Sequence, residues 1–156
     1  MLQITFTDFQ TLRAHGEQTY PHECCGVLLG KRIELDGHPV NVVRQVVPAG
    51  NTRTDSAHNR YSIAPVELIR IQRQARAAAL DIVGFYHSHP DHPAQWSTTD
   101  FAEAHWLGCS YLITAVAYGK ADISNSFLLR GTSEEDKNFE DEPIEIMMNE
   151  AAQTLA

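Results

Sequence analysis

A chain of 156 residues is long enough to bury the core of one domain and short for two. With 43% hydrophobic and 21% charged residues its composition is that of an ordinary globular protein. A net charge of −8 argues against nucleic acid or an anionic membrane surface as the main partner, because both select basic faces.

No apolar run approaches the roughly 18 residues of a spanning helix. The opening MLQITFTDFQ has neither a basic n-region nor an apolar h-region, so no signal peptide is expected. The cysteines are Cys24, Cys25 and Cys109. Two are adjacent, the number is odd and there is no Cys-x-x-Cys, which speaks against a disulfide framework and for a reducing cytoplasm. The whole of 1–156 reads as one domain, with 147–156 a flexible tail.

In chain order, LQITF alternates as a first strand. TDFQTLRAHGEQTY follows as a helix with Thr7 as N-cap, ending before Pro21. CCGVLLG, short, apolar and bounded by glycine, predicts a buried strand. KRIELDGHPVNVVRQVVP predicts a strand pair about an Asp36-Gly37 turn. AGNTRTDSAHNR is a polar loop, and YSIAP is expected to touch the sheet edge. Pro65 then opens a helix at its first position, with Leu68, Ile71, Ala75 and Ala78 on one face and Arg70, Arg73 and Arg76 on a solvated one.

DIVGFYH is a continuous apolar strand of the kind buried on both sides. STTDFAEAHWLG predicts a helix from Ser97, stopped by Gly108 at C′. SYLITAVAY and ISNSFLLRG are two further strands, TSEEDKNFEDEP an acidic turn, and IEIMM a last strand. Helices interleaved with a mixed sheet make this an α/β chain, expected as a single three-layer α-β-α sandwich.

The chemistry is concentrated in FYHSHPDHPAQWSTTD, Phe85–Asp100. Side chains alternate along a strand, so His87 and His89 project to one side and can share an ion. They lie at the C-terminal end of a buried strand, where open α/β sheets place ligands. Pro90 keeps the chain extended behind them. Asp100, in the first turn of the next helix, can add a carboxylate. Two imidazoles and one acid leave a fourth position open, as in catalytic zinc sites. A plainer reading stands beside this one, since Ser-x-x-Asp is also an N-cap pattern and Ser97 and Asp100 then only cap. Glu23, in PHECCGVLLG at the mouth of a buried strand, is the acid placed to serve as base, or else an ordinary surface glutamate.

His87-Ser88-His89-Pro90, six residues, then Ser97-Thr98-Thr99-Asp100 resembles the spacing of the JAMM (MPN-plus) zinc metallopeptidases, bacterial-type branch. PHECCGVLLG is similar to that family's upstream element, NTRTDSAHNRYSIAP to its Asn-rich loop with the following Tyr segment, and SYLITAVAY, SFLLRG and FEDEPIEI to its closing strands. The resemblance implies the cytidine-deaminase-like α-β-α fold of a JAMM/MPN domain. It implies one Zn2+ per chain on His87, His89 and Asp100, Glu23 as general acid/base, and Ser97 as transition-state donor. The implied activity is that of a deubiquitinase-like isopeptidase: hydrolysis of a peptide or isopeptide bond beside the C-terminus of a ubiquitin-like or sulfur-carrier protein, by Glu-assisted attack of zinc-bound water. Bacterial relatives often carry proline where this chain has Trp96, which bears on the substrate rim. Long insertions of the polyubiquitin-reading kind are lacking, which favours a small sulfur-carrier-type substrate.

A cysteine peptidase built on Cys24 or Cys25 is the first rival, set against small buried hydrophobes. A zinc nucleobase deaminase needs His-x-Glu and Cys-x-x-Cys and is rejected. A non-catalytic MPN-type scaffold with a structural metal is the rival from another class. His92 reads as a surface loop residue or a rim contact, and His105 as helix surface. Asn51 and Tyr61 read as loop packing or binding, and Glu134–Glu142 as a solvated turn or a lure for a basic substrate tail. No pattern assigns an oligomeric state or a substrate-binding residue.

Overall fold

The structure is a computed structural model that describes residues 1–52 and 61–148. Its centre is a sheet made of β1 (Leu2–Thr5), β2 (Cys25–Leu35), β3 (His38–Ala49), β4 (Asp81–Pro90), β5 (Ser110–Ala117), β6 (Lys120–Arg130), β7 (Asn138–Glu142) and β8 (Ile144–Met147). The strand order is β7-β6-β5-β4-β2-β3-β1-β8. The sheet is mixed: β4 pairs β5 in parallel, β1 runs parallel to both β3 and β8, and the remaining pairs are antiparallel.

Alternation assigns the two faces. Val27, Leu29 and Phe85 pack with Ile71 and Ala75 of α2 (Pro65–Ala77). Leu28, Tyr86 and Leu112 pack with Leu12 of α1 (Phe6–Thr19) on the other face. Phe101 of the short α3 (Thr98–Glu103) joins the α2 side. This is the expected three-layer α-β-α arrangement, with β4 and β2 at the centre of the sheet and β4 and β5 buried along most of their length.

Two glycine sites shape β2 and β3. Asp36 and Gly37 take positive φ, 52° and 77°, which gives the hairpin a turn whose twist matches its strands. At Gly30, beside a register shift, a Cβ would stand 1.8 Å from the carbonyl oxygen of Val42, so the strands close there only on glycine.

Several expectations are corrected. The N-cap of α1 is Thr5, not Thr7: Thr5 ends β1 in extended conformation and its Oγ1 accepts from Asp8 N at 3.1 Å, so strand passes to helix with no loop between. Tyr61 to Ala64, expected to touch the sheet edge, lie against its face instead: Tyr61 stacks on His87 of β4, and Ser62 bonds back to Asn51 and Thr52. Ala78 is the exposed C-cap of α2 and lies off its apolar face.

α3 stops at Glu103, well before Gly108. Lys137 Nζ takes over the carbonyls of Phe101, Ala102 and Ala104, which frees Trp106 to turn in against Phe85 with ring centroids 5.4 Å apart. Asn138–Glu142 is a closing strand, as the resemblance implied, and not the turn its acids suggest, because Phe139 reaches the aromatic cluster of Trp96, Phe101 and Tyr111 while its acidic neighbours charge the sheet edge. Met147 of the expected tail still belongs to β8. Of the expected polar loop, 53–60 lie outside the described residues, as do 149–156 of the tail.

Gly30→Ala is expected to lower unfolding stability by about 2 kcal/mol or more, measured by urea denaturation. Gly50→Ala, with nothing within 4 Å of the added carbon, should stay within about 0.5 kcal/mol of the parent. Equal effects at the two glycines would show that the close approach at Gly30 is not a constraint.

Candidate metal centre

Along β4 the side chains of Phe85, His87 and His89 share the α2 face, and Ser88 points to the other. His87 is held between Cys25 of β2 and Ile113 of β5; His89 sits beside Ala115 of β5. The loop 91–96 then returns the chain to α3. There Ser97 is the N-cap: its Oγ accepts from Asp100 N at 3.0 Å, and Ser97 N donates to Asp100 Oδ2 at 2.9 Å. The capping box expected as an alternative to a metal site is therefore present, and it aims Asp100 at the histidines. His87 Nε2 lies 3.3 Å from Asp100 Oδ1 and His89 Nε2 lies 3.1 Å from Asp100 Oδ2. The two Nε2 atoms are 3.1 Å apart.

Counting protons shows what this cluster fits. His89 Nδ1 is 2.9 Å from the carbonyl oxygen of Pro93, which can only accept, so Nδ1 carries the hydrogen. The Nε2 lone pair of a neutral His89 then faces a carboxylate oxygen and a second imidazole nitrogen. A neutral His89 thus sets one acceptor against another in Asp100, and either a proton on Nε2 or a cation between them resolves the clash. His87 Nδ1 and Glu23 Oε1 are also buried without a hydrogen-bond partner among the described residues. Ligand atoms of Glu23, His87 and His89 all lie within 4.8 Å of one another. Two imidazoles and a carboxylate are the donor set of a zinc-type site, and an imidazole oriented through its second nitrogen by a backbone carbonyl is the usual support for such a ligand.

The electrostatics point the same way. Burial would raise Asp100, but hydrogen bonds from His87 and His89 outweigh it and hold the carboxyl far below the usual range. Burial lowers His87 against the pull of Asp100. For His89, burial is overcome by its bonds to Asp100 and Pro93, and the ring is raised. Glu23, 4% exposed, is pushed up to about 8 by burial, with partial relief from His89.

Three contacts hold Glu23 in place. Cys24 N donates to Ser88 Oγ at 2.8 Å, and Ser88 N donates to Cys24 O at 3.2 Å. Asn51 Nδ2 donates to Glu23 O at 3.2 Å, while Asn51 Oδ1 accepts from Ser62 N. The same arrangement sets Tyr61, whose ring stacks on His87 with centroids 4.5 Å apart. Asn51 and Tyr61 thus serve the site's construction. Ser88 and Pro93 also build it, and the only signal for them was their place inside and just after the histidine motif.

Glu23, His89, His92, Pro93, Gln95, Trp96 and Ser97 line a cleft of about 420 Å³. His92 is therefore a rim residue. Trp96 forms the lip, 39% exposed, braced on Phe101 and Phe139. His105 lies beyond α3, where its Nδ1 is 2.8 Å from Glu134. Of the acidic stretch, Glu134 also pairs with Lys137, Asp136 caps Thr132 and Ser133, and Glu142 accepts from Ser126, so these charges serve local structure.

Cys24, Cys25 and Cys109 are free and buried. Burial raises all three thiols, Cys24 and Cys109 to about 11 and Cys25 further, which leaves them poor nucleophiles and removes the basis for a cysteine peptidase. No helix among the described residues is long and apolar enough to cross a membrane.

Residues 8–129 match the model of the family described as prokaryotic homologs of the JAB domain. The chain is 38% identical over 96 residues to a desampylase of Haloferax volcanii, a match that covers 60% of this chain and 62% of that protein. It is 31% identical over 94 residues to a probable TtuB-protein conjugate cleaving protease of Thermus thermophilus, covering 60% and 57%. The chain thus spans about three fifths of the length of the curated relatives it matches. A solution structure of a Desulfitobacterium hafniense protein superposes with a TM-score of 0.77 at 27% identity, over 96% of this chain and 94% of that one. One from Salinibacter ruber gives 0.68 at 34% identity, over 92% and 90%.

Two measurements check the site. Between pH 4.5 and about 8 the unfolded chain gives up the Glu23 proton while the folded chain keeps it, so the metal-free protein loses stability as pH rises through that window. Metal-free Glu23→Gln should escape the loss. Urea unfolding with chelator present should find it more stable than the parent by on the order of 3 kcal/mol at pH 8, and level with it near pH 4. Parallel pH profiles would contradict a raised Glu23. Ser88→Ala strands the buried Cys24 N–H and is expected to cost about 1–3 kcal/mol in the same assay; an unchanged unfolding midpoint would remove Ser88 from the construction.

Proposed function

The chain belongs to the family of prokaryotic homologs of the JAB domain, and from that premise we propose that it is a zinc-dependent metallopeptidase. Its reaction is hydrolysis of the peptide or isopeptide bond that joins the C-terminus of a ubiquitin-like or sulfur-carrier protein to its target. The observation that supports this reading is the convergence of His87, His89 and Asp100 within 3.3 Å, with His89 lining a cleft that Glu23 and Ser97 also line. The names of the two curated relatives, both cleaving enzymes by those names, support the substrate class.

His87, His89 and Asp100 would hold the metal, Asp100 because it contacts both imidazoles. Bound there, zinc supplies Lewis-acid polarisation of the scissile carbonyl and acidifies water. The rest falls to the chain's own groups. A cation beside Glu23 favours its ionised form, so the carboxylate can take a proton from the attacking water and deliver it to the leaving amine. Ser97 Oγ already accepts from Asp100 N, which leaves its own hydrogen for the developing oxyanion. Buried reduced thiols fit a cytoplasmic setting.

The test combines elemental analysis with a cleavage assay on small ubiquitin-like sulfur-carrier proteins joined through their C-termini to a lysine peptide. Wild type should carry about one zinc per chain and lose activity with chelator. His89→Ala should lose the metal. Glu23→Gln should keep it and lose about 10³-fold or more in rate, and Ser97→Ala about 10²-fold. Zinc bound with no cleavage of any such conjugate would sink the peptidase reading and leave a scaffold with a structural metal; cleavage unaffected by Glu23→Gln would remove Glu23 as its base.

A further inference from the structure

Behind the His92–Gln95 wall of the cleft lies a second pocket, of about 360 Å³, between that loop and the β5–β6 hairpin. Its floor is apolar: Pro93, Ala94 and Ala115, the last two buried at 4% and 9% exposure. Its rim carries Tyr118 and Ile123, 91% and 60% exposed, the kind of surface apolar grouping that marks an interaction site.

The wall is fixed from several sides. Asn125 Nδ2 donates to Ala94 O at 2.9 Å, His89 Nδ1 to Pro93 O at 2.9 Å, and Asp91 N to Val116 O at 2.8 Å. The Asp91 carboxylate accepts from Tyr118 N at 2.8 Å and from Tyr20 OH at 2.5 Å, which ties loop, hairpin and the end of α1 together. A pocket held this way exists before any ligand arrives, so little ordering cost opposes binding.

We propose that this pocket is a specificity subsite for an aliphatic side chain on the target segment that carries the leaving amine. The assignment rests on the peptidase reading above. The side follows from Glu23, the group that returns the proton to the amine and that opens into the cleft walled by His92, Pro93 and Gln95. The amine must come within hydrogen-bond reach of Glu23, so its segment lies toward that wall and crosses it. The reach fits. His89 and Ala115 are register partners on neighbouring strands, roughly 4.8 Å apart, and an extended chain covers roughly 3.4 Å per residue. A side chain one or two residues from the amine therefore arrives over Ala115.

The test is binding of acetyl-Ala-Lys-X-Ala-amide, with X as Leu, Gly or Asp, to the isotope-labelled zinc-supplied protein, followed by NMR. The leucine peptide should move the amide signals of Ala115, Ala117 and Asn125 and bind about fivefold or more tightly than the glycine peptide, with aspartate weakest. Ala117→Trp, a change at an exposed rim position that fills the pocket, should abolish the leucine preference. Equal binding of leucine and glycine, or signal changes confined to other parts of the surface, would overturn the subsite. Because this readout needs no cleavage, a preference for leucine in a protein that proves unable to hold zinc would overturn the peptidase reading and leave the pocket as a peptide site.

Discussion

The exchange of hydrogen bonds between Cys24 and Ser88 is the constraint on which the site depends. The β2–β4 ladder runs as far as Cys25 and His87. One step further the Ser88 hydroxyl supplies the next rung by taking the Cys24 N–H, and Ser88 N returns a bond to Cys24 O. The segment that carries Glu23 is thereby kept beside the strand that carries the histidines, although it has left the sheet. Both residues are nearly closed to solvent, at 2% and 1% exposure, so a broken rung could not be replaced by water without opening the core. The middle residue of His-Ser-His thus works on the face opposite the imidazoles. The alternation that brings two nitrogens together also turns a hydroxyl back toward Cys24.

The rear of the site is closed by α1, and the tightness of that closure explains a residue that helix propensity disfavours. A Cβ on Gly16 would stand 3.1 Å from Val116 Cγ2 and 3.2 Å from Ser88 Cβ. Glycine inside a helix costs up to about 1 kcal/mol relative to alanine. Here its missing side chain lets the helix settle directly behind the histidine strand. On the front face α2 and Tyr61 do the corresponding work, Tyr61 by covering His87. The imidazoles are consequently fixed by packing on both sides of the sheet, as a preorganised ligand pair requires.

Much of this was legible in the sequence because it rests on local periodicity. The histidines follow from strand alternation, α2 from Pro65, the hairpin from Asp36-Gly37 and the start of α3 from Ser97. The errors lie where tertiary contacts decide. α3 ends earlier than its local pattern suggests because Lys137, more than thirty positions on, takes its last carbonyls. Residues 138–142 read as a turn from their acids, yet one aromatic side chain, Phe139, makes them a strand. The contribution of Asn51 was hidden because it acts through the backbone of Glu23, 28 residues away, and that of Pro93 because it acts through a carbonyl that no side-chain pattern encodes.

The cap that Ser-x-x-Asp forms is also what aims the acid that the proposed metal site would use. Asp100 Oδ2 accepts from Ser97 N and stands 3.1 Å from His89 Nε2, so the same oxygen closes the helix start and faces the histidines. Fixing a carboxylate rotamer costs side-chain entropy, which the capping bonds offset before any ion arrives. The acid then stands in a set geometry toward the two imidazoles, and the positive end of α3 adjoins it. The cap has a second consequence for Ser97. As N-cap its Oγ accepts from the helix, and an oxygen engaged as acceptor directs its own hydrogen elsewhere, toward the cleft shared with Glu23 and His89. In the proposed reaction a hydroxyl oriented in this way would supply hydrogen-bond stabilisation without reorganising, which is the condition under which such a donor contributes most.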